Sequence, residues 1–145
     1  MKKYDSVIKQ IKQDRKIRAG DDIRRLENFG FKIYSQSDED GIIEEIFNRI
    51  GRKTKVFVEF GSESGQENNT HYLLENGWTG LWIESLPDYA KAIRANYRYL
   101  IDQGRLKFIE AVVNAENIND LIESAGITGE IDFLSVDIDS NDYYV

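Results

Sequence analysis

The residues best suited to chemistry follow a short apolar stretch, in the pattern Glu59-x-Gly61-x-x-x-Gly65. Glycine in the first turn after a parallel strand lets the backbone approach a bound ligand closely. The pattern matches neither the Gly-x-Gly-x-x-Gly dinucleotide loop nor the lysine-containing phosphate loop. It carries Glu63 and Glu67 and no lysine or arginine, so it would repel a pyrophosphate. These features favour a ligand with a cationic group, such as the sulfonium and amino groups of S-adenosylmethionine.

Polar residues also follow the next two predicted strands. Glu84 stands 25 residues after Glu59, where an acid of dinucleotide folds accepts the ribose hydroxyls of an adenosine. Taken alone, Glu84 would be an exposed acid at a strand end, but its pairing with the glycine loop favours the ribose role. Further on, the Asn114 amide, followed by Ala115, either reads the adenine edge or caps the next helix. Both interpretations of Asn114 stay open.

Several carboxylates follow the fourth predicted strand, in the segment Asp137-Ile-Asp139-Ser-Asn141-Asp142. Carboxylates at the tip of a buried strand are costly unless they bind something. They suit a methyl-transfer site in which Asp137 or Asp139 orients a hydroxyl or takes its proton. The Asp-x-Asp form also suits a glycosyltransferase that binds a nucleotide sugar through a divalent metal. A calcium loop is disfavoured because Asp142 stands where an EF-hand requires glycine.

A sheet that aligns the ends of its strands is needed to bring these residues together, and the sequence predicts one. Four apolar segments alternate with helical segments of about ten residues, at 56–60, 81–84, 106–113 and 131–136. Such alternation indicates right-handed crossovers in a parallel sheet that is covered on both faces. The predicted fold class is therefore α/β, a Rossmann-like parallel sheet of about four strands with flanking helices.

Helical segments precede the sheet. Two narrow apolar stripes predict an N-terminal helical extension over residues 1–31, ahead of the sheet-bearing domain over residues 32–145. A stronger helix then shows a broad apolar face from Ile42 to Ile50 and ends at Gly51. Ser37 and Asp40 predict a capping-box-like start for that helix.

Charge and composition exclude several classes of protein. The 145 residues carry a net charge of −7, with nine Lys/Arg and five Asp/Glu in residues 1–30 and a net −11 in residues 31–145. This acidic body argues against nucleic-acid binding. No apolar run approaches the ~20 residues of a membrane span. One histidine and no cysteine predict no metal site of the zinc type, and the missing cysteines and secretory signal predict a cytoplasmic protein.

The chain ends at Val145, a few residues beyond the fourth predicted strand, which indicates an interrupted domain. An unpaired strand at the edge of a sheet is a template for another strand. A non-enzymatic alternative is therefore an interaction module that forms homo-oligomers through its exposed sheet edge.

Taken together, the motifs resemble the FkbM-like class I methyltransferases, particularly a bacterial subgroup found among surface-polysaccharide genes. The resemblance covers about residues 33–145 and depends on the order and spacing of the motifs. The matching segments are Tyr34-Ser-Gln36-Ser-Asp-Glu39-Asp40-Gly41, Phe57-Val-Glu59-Phe-Gly61, Asn68-Asn69-Thr70, Asn76-Gly77-Trp78-x-Gly80-Leu-Trp-Ile-Glu84, Ala115-Glu116-Asn117-Ile118 and Ile131-Asp132-Phe-Leu-Ser135-Val-Asp137-Ile-Asp139-Ser-Asn141-Asp142-Tyr143. The last motif usually contains glycine where this chain has Ser140.

The resemblance implies a seven-stranded Rossmann-like fold that uses S-adenosylmethionine, usually to methylate an oxygen of a small-molecule or glycan acceptor. The residues that it implies at the cofactor are Gln36 and Glu39 over the mouth, Glu59, Gly61 and Gly65 at the methionine part, Ser62, Glu63 and Asn69 beside them, Glu84 at the ribose, Asn114 and Ala115 by the adenine, and Asp137 toward the acceptor. Strands five to seven of that fold, which supply much of the acceptor pocket, are missing from the predicted elements.

Overall fold

One sheet holds the four strands that the sequence predicts. The computed structural model describes residues 5–19, 22–138 and 142–145. Its strands are β1 (Val56–Phe60), β2 (Thr79–Glu84), β3 (Leu106–Glu110) and β4 (Phe133–Val136), all parallel and in the spatial order β3-β2-β1-β4. The chain thus builds outward from β1 to β3 and then crosses to the other side of β1. The predicted α/β Rossmann-like class is confirmed.

Helices cover both faces of this sheet. They are α1 (Asp5–Ala19), α2 (Glu39–Ile50), α3 (His71–Glu75), α4 (Pro87–Asn96), α5 (Arg98–Asp102) and α6 (Ile118–Ser124), with 3-10 turns at Leu26–Phe29 and Asp142–Tyr144. One face packs on α2 to α5 through buried residues such as Phe47, Leu74 and Trp82. The other face packs on α6 around Val58 and Leu81. Burial on both faces explains why the strands are nearly continuous apolar runs.

The register of the parallel strands aligns side chains in rows across the sheet. One row runs from Lys107 through Leu81 and Val58 to Leu134. The two central residues are fully buried, and the two outer residues end the row at opposite edges. Because the rows are in register, the carboxyl ends of the strands meet along one side of the sheet, where a crevice forms at the switch between β1 and β4.

Element ends differ from the sequence prediction in places. The third strand ends at Glu110 rather than at residue 113, and the fourth begins at Phe133. The capping box predicted at Ser37 does not form. Instead, the Ser35 hydroxyl accepts the Asp40 N–H at 3.1 Å, and the Asp40 carboxylate accepts the Ser35 N–H at 3.2 Å. No helix in the described part of the chain is long and apolar enough to cross a membrane.

Candidate functional site

A cleft of about 690 Å³ opens at the carboxyl ends of the strands, within the size range of small-molecule sites. The predicted site residues that line it are Gln36, Glu39, Glu59, Gly61, Ser62, Glu63, Asn69, Glu84 and Asp137. Among the described residues predicted to bind the cofactor, Gly65, Asn114 and Ala115 are not part of the lining. Asp139 lies outside the described residues.

Gly61 lets the loops after β1 and β4 meet. Its φ of +71° lies in the left-handed region, and a Cβ there would overlap the carbonyl oxygen of Asp137. Its N–H donates to the Ile83 carbonyl at 3.0 Å, so the loop is also bonded to β2. Glycine is therefore required where β1 turns into the cleft, and Asp137 is held beside that turn.

Gly65 packs against aromatic rings and does not line the cleft. A Cβ on Gly65 would lie 2.6 Å from the Trp82 ring and 2.8 Å from the Tyr97 ring. The Tyr97 hydroxyl donates to the Gly65 carbonyl at 2.7 Å. This glycine lets the loop pack down on two buried aromatic rings, and so it supports the cleft from beneath.

Glu84 lies at the end of β2 with its carboxylate oriented by backbone. Its two oxygens accept the N–H groups of Glu63 and Leu86, each at 2.8 Å. A carboxylate oxygen has two lone pairs, so each oxygen keeps a second acceptor position. Glu84 can thus receive two neighbouring hydroxyls, as a ribose requires, while holding the glycine loop in place.

Glu59 is turned inward, toward the start of α3. It is 2% exposed and accepts the Asn69 N–H at 2.9 Å and the Thr70 hydroxyl at 2.5 Å. Thr70 in turn accepts the indole N–H of Trp82 at 2.7 Å. Burial raises the pKa of Glu59 to about 7, although the hydrogen bonds from Thr70 and Asn69 oppose this. This carboxyl fixes the loop that forms the cleft floor.

Residues 32–38, directly ahead of α2, form a strap that lies at the mouth of the cleft. The buried Asp40 carboxylate accepts the N–H groups of Ile33 at 2.6 Å and Tyr34 at 2.7 Å, which fixes the path of the strap. Lys32 bonds the strap to the far side of the mouth through Glu67, at 3.4 Å. The Tyr34 ring stacks on His71 with ring centroids 3.9 Å apart. The strap thereby brings Gln36 and Glu39 to the cleft, as the resemblance implied.

The lip of the cleft beside Glu84 is apolar, which sequence reasoning missed. Leu86, Tyr89 and Val112 line it with exposed fractions of 55%, 36% and 69%. Asn114, by contrast, accepts the N–H groups of Glu116 and Asn117 at 3.1 and 3.0 Å, and these hydrogen bonds hold the turn directly ahead of α6. An exposed aromatic and aliphatic lip suits a planar base better than this turn does.

The electrostatics of the cleft are one-sided. Its acidic lining residues are Glu39, Glu59, Glu63, Glu67, Glu84 and Asp137, and within the described part of the chain no Lys, Arg or His lines it. Two polar atoms of lining residues, Ser62 Oγ and Asn68 Nδ2, are buried with no hydrogen-bond partner among the described residues. The described residues contain no group of three His, Cys, Asp or Glu that could hold a metal ion.

Comparison with known proteins shows the fold that carries this cleft. No protein-family model matches the sequence, and no curated protein matches it. The structure is similar to that of the O-methyltransferase from Bacillus cereus in complex with SAH, with a TM-score of 0.53 and 18% identity. The match covers 95% of this chain and 56% of that one, so this chain spans little more than half of its neighbour. The fold is thus the Rossmann-like fold of the class I methyltransferases.

Proposed function

We propose that this chain binds S-adenosylmethionine in the cleft and forms the cofactor-binding part of a methyltransferase. One observation carries the proposal: the carboxylate of Glu84 is held by two backbone N–H groups at the end of β2, inside a cleft with no described cationic side chain. An acid there suits ribose hydroxyls, and the acidic lining suits a sulfonium. The similarity in fold to the Bacillus cereus O-methyltransferase supports the same conclusion.

The residues present fit this cofactor. Glu84 would receive the ribose hydroxyls, the lip at Leu86 and Tyr89 would pack on the adenine, and the loop from Gly61 would hold the methionine part. When bound, the cofactor supplies a methyl group that its positive sulfur already activates. The protein's part is then mainly to orient the acceptor, because proximity and alignment account for much of such a barrier.

We assign Asp137 to the acceptor. It is exposed in the cleft directly after β4, beside the Gly61 turn. When the cofactor supplies its methyl group to an acceptor hydroxyl, Asp137 would hold that hydroxyl and take its proton. A sugar or glycan hydroxyl as acceptor, the FkbM-like subgroup and a cytoplasmic location are proposals that sequence motifs and composition alone support. Asp139 keeps its predicted catalytic role on the same basis.

Calorimetric titration with S-adenosylhomocysteine tests the proposal. We expect binding by the natural chain and at least about tenfold weaker binding by Glu84→Gln, whose amide nitrogen cannot accept a hydroxyl proton. ATP serves as the control ligand, since its phosphates should be rejected by the acidic lining. If the folded chain bound ATP and ignored S-adenosylhomocysteine, the cleft would be a nucleotide site of another class.

A further inference from the structure

The cofactor of the proposed function carries a carboxylate as well as a cation. No described cationic side chain lines the cleft, and Lys32 at its mouth is already paired with Glu67 at 3.4 Å. In a cleft lined by acids, an anionic group needs neutral hydrogen-bond donors. Donors that already form hydrogen bonds within the protein are not available to this carboxylate. Asn69, for example, uses its amide nitrogen on the Ser135 hydroxyl at 3.1 Å.

Asn68 has an uncommitted donor. Its Oδ1 accepts the His71 N–H at 3.2 Å, and since a backbone N–H can only donate, the amide orientation is determined. The other end of the amide, Nδ2, is buried and has no partner among the described residues, although the side chain lines the cleft. A buried donor without an acceptor is unfavourable, so a ligand that supplied one would gain from it.

Ser62 supplies a second donor of the same kind. It is fully buried in the glycine loop, lines the cleft and leaves its hydroxyl without a partner in the described residues. A hydroxyl and an amide N–H together can serve the two oxygens of a carboxylate. Among the described residues of the lining, no other pair of neutral side chains is both buried and unpartnered.

We propose that Asn68 Nδ2 and Ser62 Oγ bind the carboxylate of the cofactor's amino-acid part, which makes Asn68 a specificity-determining residue. This inference rests on the proposed function. Both donors are buried, so contact requires a small shift of residues 62–68. Glu63 lies in that segment with a φ of +48°, a strained conformation for a residue other than glycine, and is where we expect the shift.

Asn68→Asp tests the inference because it replaces the Nδ2 donor by a negatively charged acceptor while keeping the shape of the side chain. The aspartate keeps an oxygen for the His71 N–H, so the start of α3 stays capped. Binding is measured by calorimetry with three ligands: S-adenosylhomocysteine, its decarboxylated analogue S-adenosyl-3-thiopropylamine, and 5′-methylthioadenosine. Asn48→Asp, on the exposed end of α2 and outside the cleft lining, is the matched control. Circular dichroism and a melting curve check that each variant is folded.

We expect Asn68→Asp to bind S-adenosylhomocysteine at least about tenfold more weakly. It should bind the decarboxylated analogue equally or more tightly, since the new charge attracts its ammonium group, and 5′-methylthioadenosine within about twofold. Equal weakening of all three ligands, or no change with S-adenosylhomocysteine, would overturn the inference while leaving the proposed function intact. If the natural chain bound none of the three, the proposed function and this inference would both be wrong.

Ser62→Ala is the second variant, and it keeps the test decisive if Asn68→Asp does not fold. We expect several-fold weaker binding of S-adenosylhomocysteine, unchanged binding of the decarboxylated analogue, and no loss of melting temperature, because the lost hydroxyl has no described partner. Unchanged affinity for S-adenosylhomocysteine in this variant would overturn the inference, because the carboxylate is proposed to bind Ser62 and Asn68 together.

Discussion

A row of side chains that runs across the sheet ends in a charged residue at one edge and in an apolar residue at the other. The row through Leu81 and Val58 ends at Lys107 on β3 and at Leu134 on β4. The Lys107 ammonium donates to the Ala125 carbonyl after α6, whereas Leu134 is 48% exposed. One edge therefore ends in a satisfied charge, and the other ends in apolar surface.

Charges also protect the β3 edge along its length. Arg94 pairs with Glu110 at 2.5 Å and lies 5.0 Å from the centre of the Phe108 ring. Charged side chains are a common means of keeping an edge strand from pairing with another chain. β4 has the sequence Phe133-Leu-Ser-Val136, with no charge and no proline. β3 therefore has the features of an outer strand, and β4 has those of an inner one.

The contrast continues inside the sheet. The next row runs from Phe108 through Trp82 and Glu59 to Ser135. Its β3 half is aromatic, while its β4 half holds the buried carboxyl and the hydrogen bonds around it. The β4 half therefore combines a polar interior with an unprotected edge, next to the candidate cofactor site.

The largest effect that would sharpen this contrast is expected at Glu59. Its pKa is raised from 4.5 to about 7, so the folded state holds the proton more strongly than the unfolded state does. The stability that this provides is complete below pH 4.5 and is lost as the pH rises through 7, on the order of 3 kcal/mol. We expect chemical denaturation at pH 5 and pH 8 to show this fall in the natural chain and not in Glu59→Gln. A fall of equal size in both would place its origin elsewhere.

Leu134→Lys places at the β4 edge the residue type that ends the same row at the β3 edge. We expect its effect on self-association to be the next in size. If the homo-oligomer predicted from the sequence forms through β4, the added charge should raise its dissociation constant at least about tenfold. Sedimentation velocity over a range of concentrations measures this. The control is Lys107→Gln at the opposite edge, which should leave association unchanged. A natural chain that stayed monomeric at high concentration would contradict the predicted homo-oligomer.

Arg94→Ala removes a protecting charge from the β3 edge and is expected to have the smallest effect. The ion pair is half-exposed, and such pairs contribute about 0.2–1 kcal/mol. We expect a slight decrease in the melting temperature and no change in association, because Lys107 and Glu110 still mark this edge. Strong self-association of this variant would mean that Arg94 alone keeps the β3 edge from pairing with another chain.

Much of the fold was predictable because its signals are local. The bounds of β1 agree with the predicted ones, since Val56–Phe60 is an apolar run closed by Gly61. Glu59, Gly61, Glu84 and Asp137 fell at one end of the sheet because parallel strands align their carboxyl ends. Spacing along the chain is sufficient for such predictions.

The rest depends on contacts between distant positions. Gly65 meets Trp82 and Tyr97, which lie 17 and 32 residues further on, and no spacing rule relates them. The uncommitted donor of Asn68 was equally hidden, because it depends on which partners the other side chains already have. Asn114 had two interpretations of equal standing, and only the position of the following N–H groups distinguishes them.

The hydrogen bonds from Trp82 through Thr70 to Glu59 have an optical consequence. The chain contains two tryptophans, and the indole of one of them, fully buried, shares a hydroxyl with the titrating carboxyl. An indole's emission responds to the electric field around it, so the charge on Glu59 tunes the fluorescence of Trp82. The protein thereby carries an intrinsic fluorophore beneath the loop from Gly61 to Gly65, and its emission can be measured without any label.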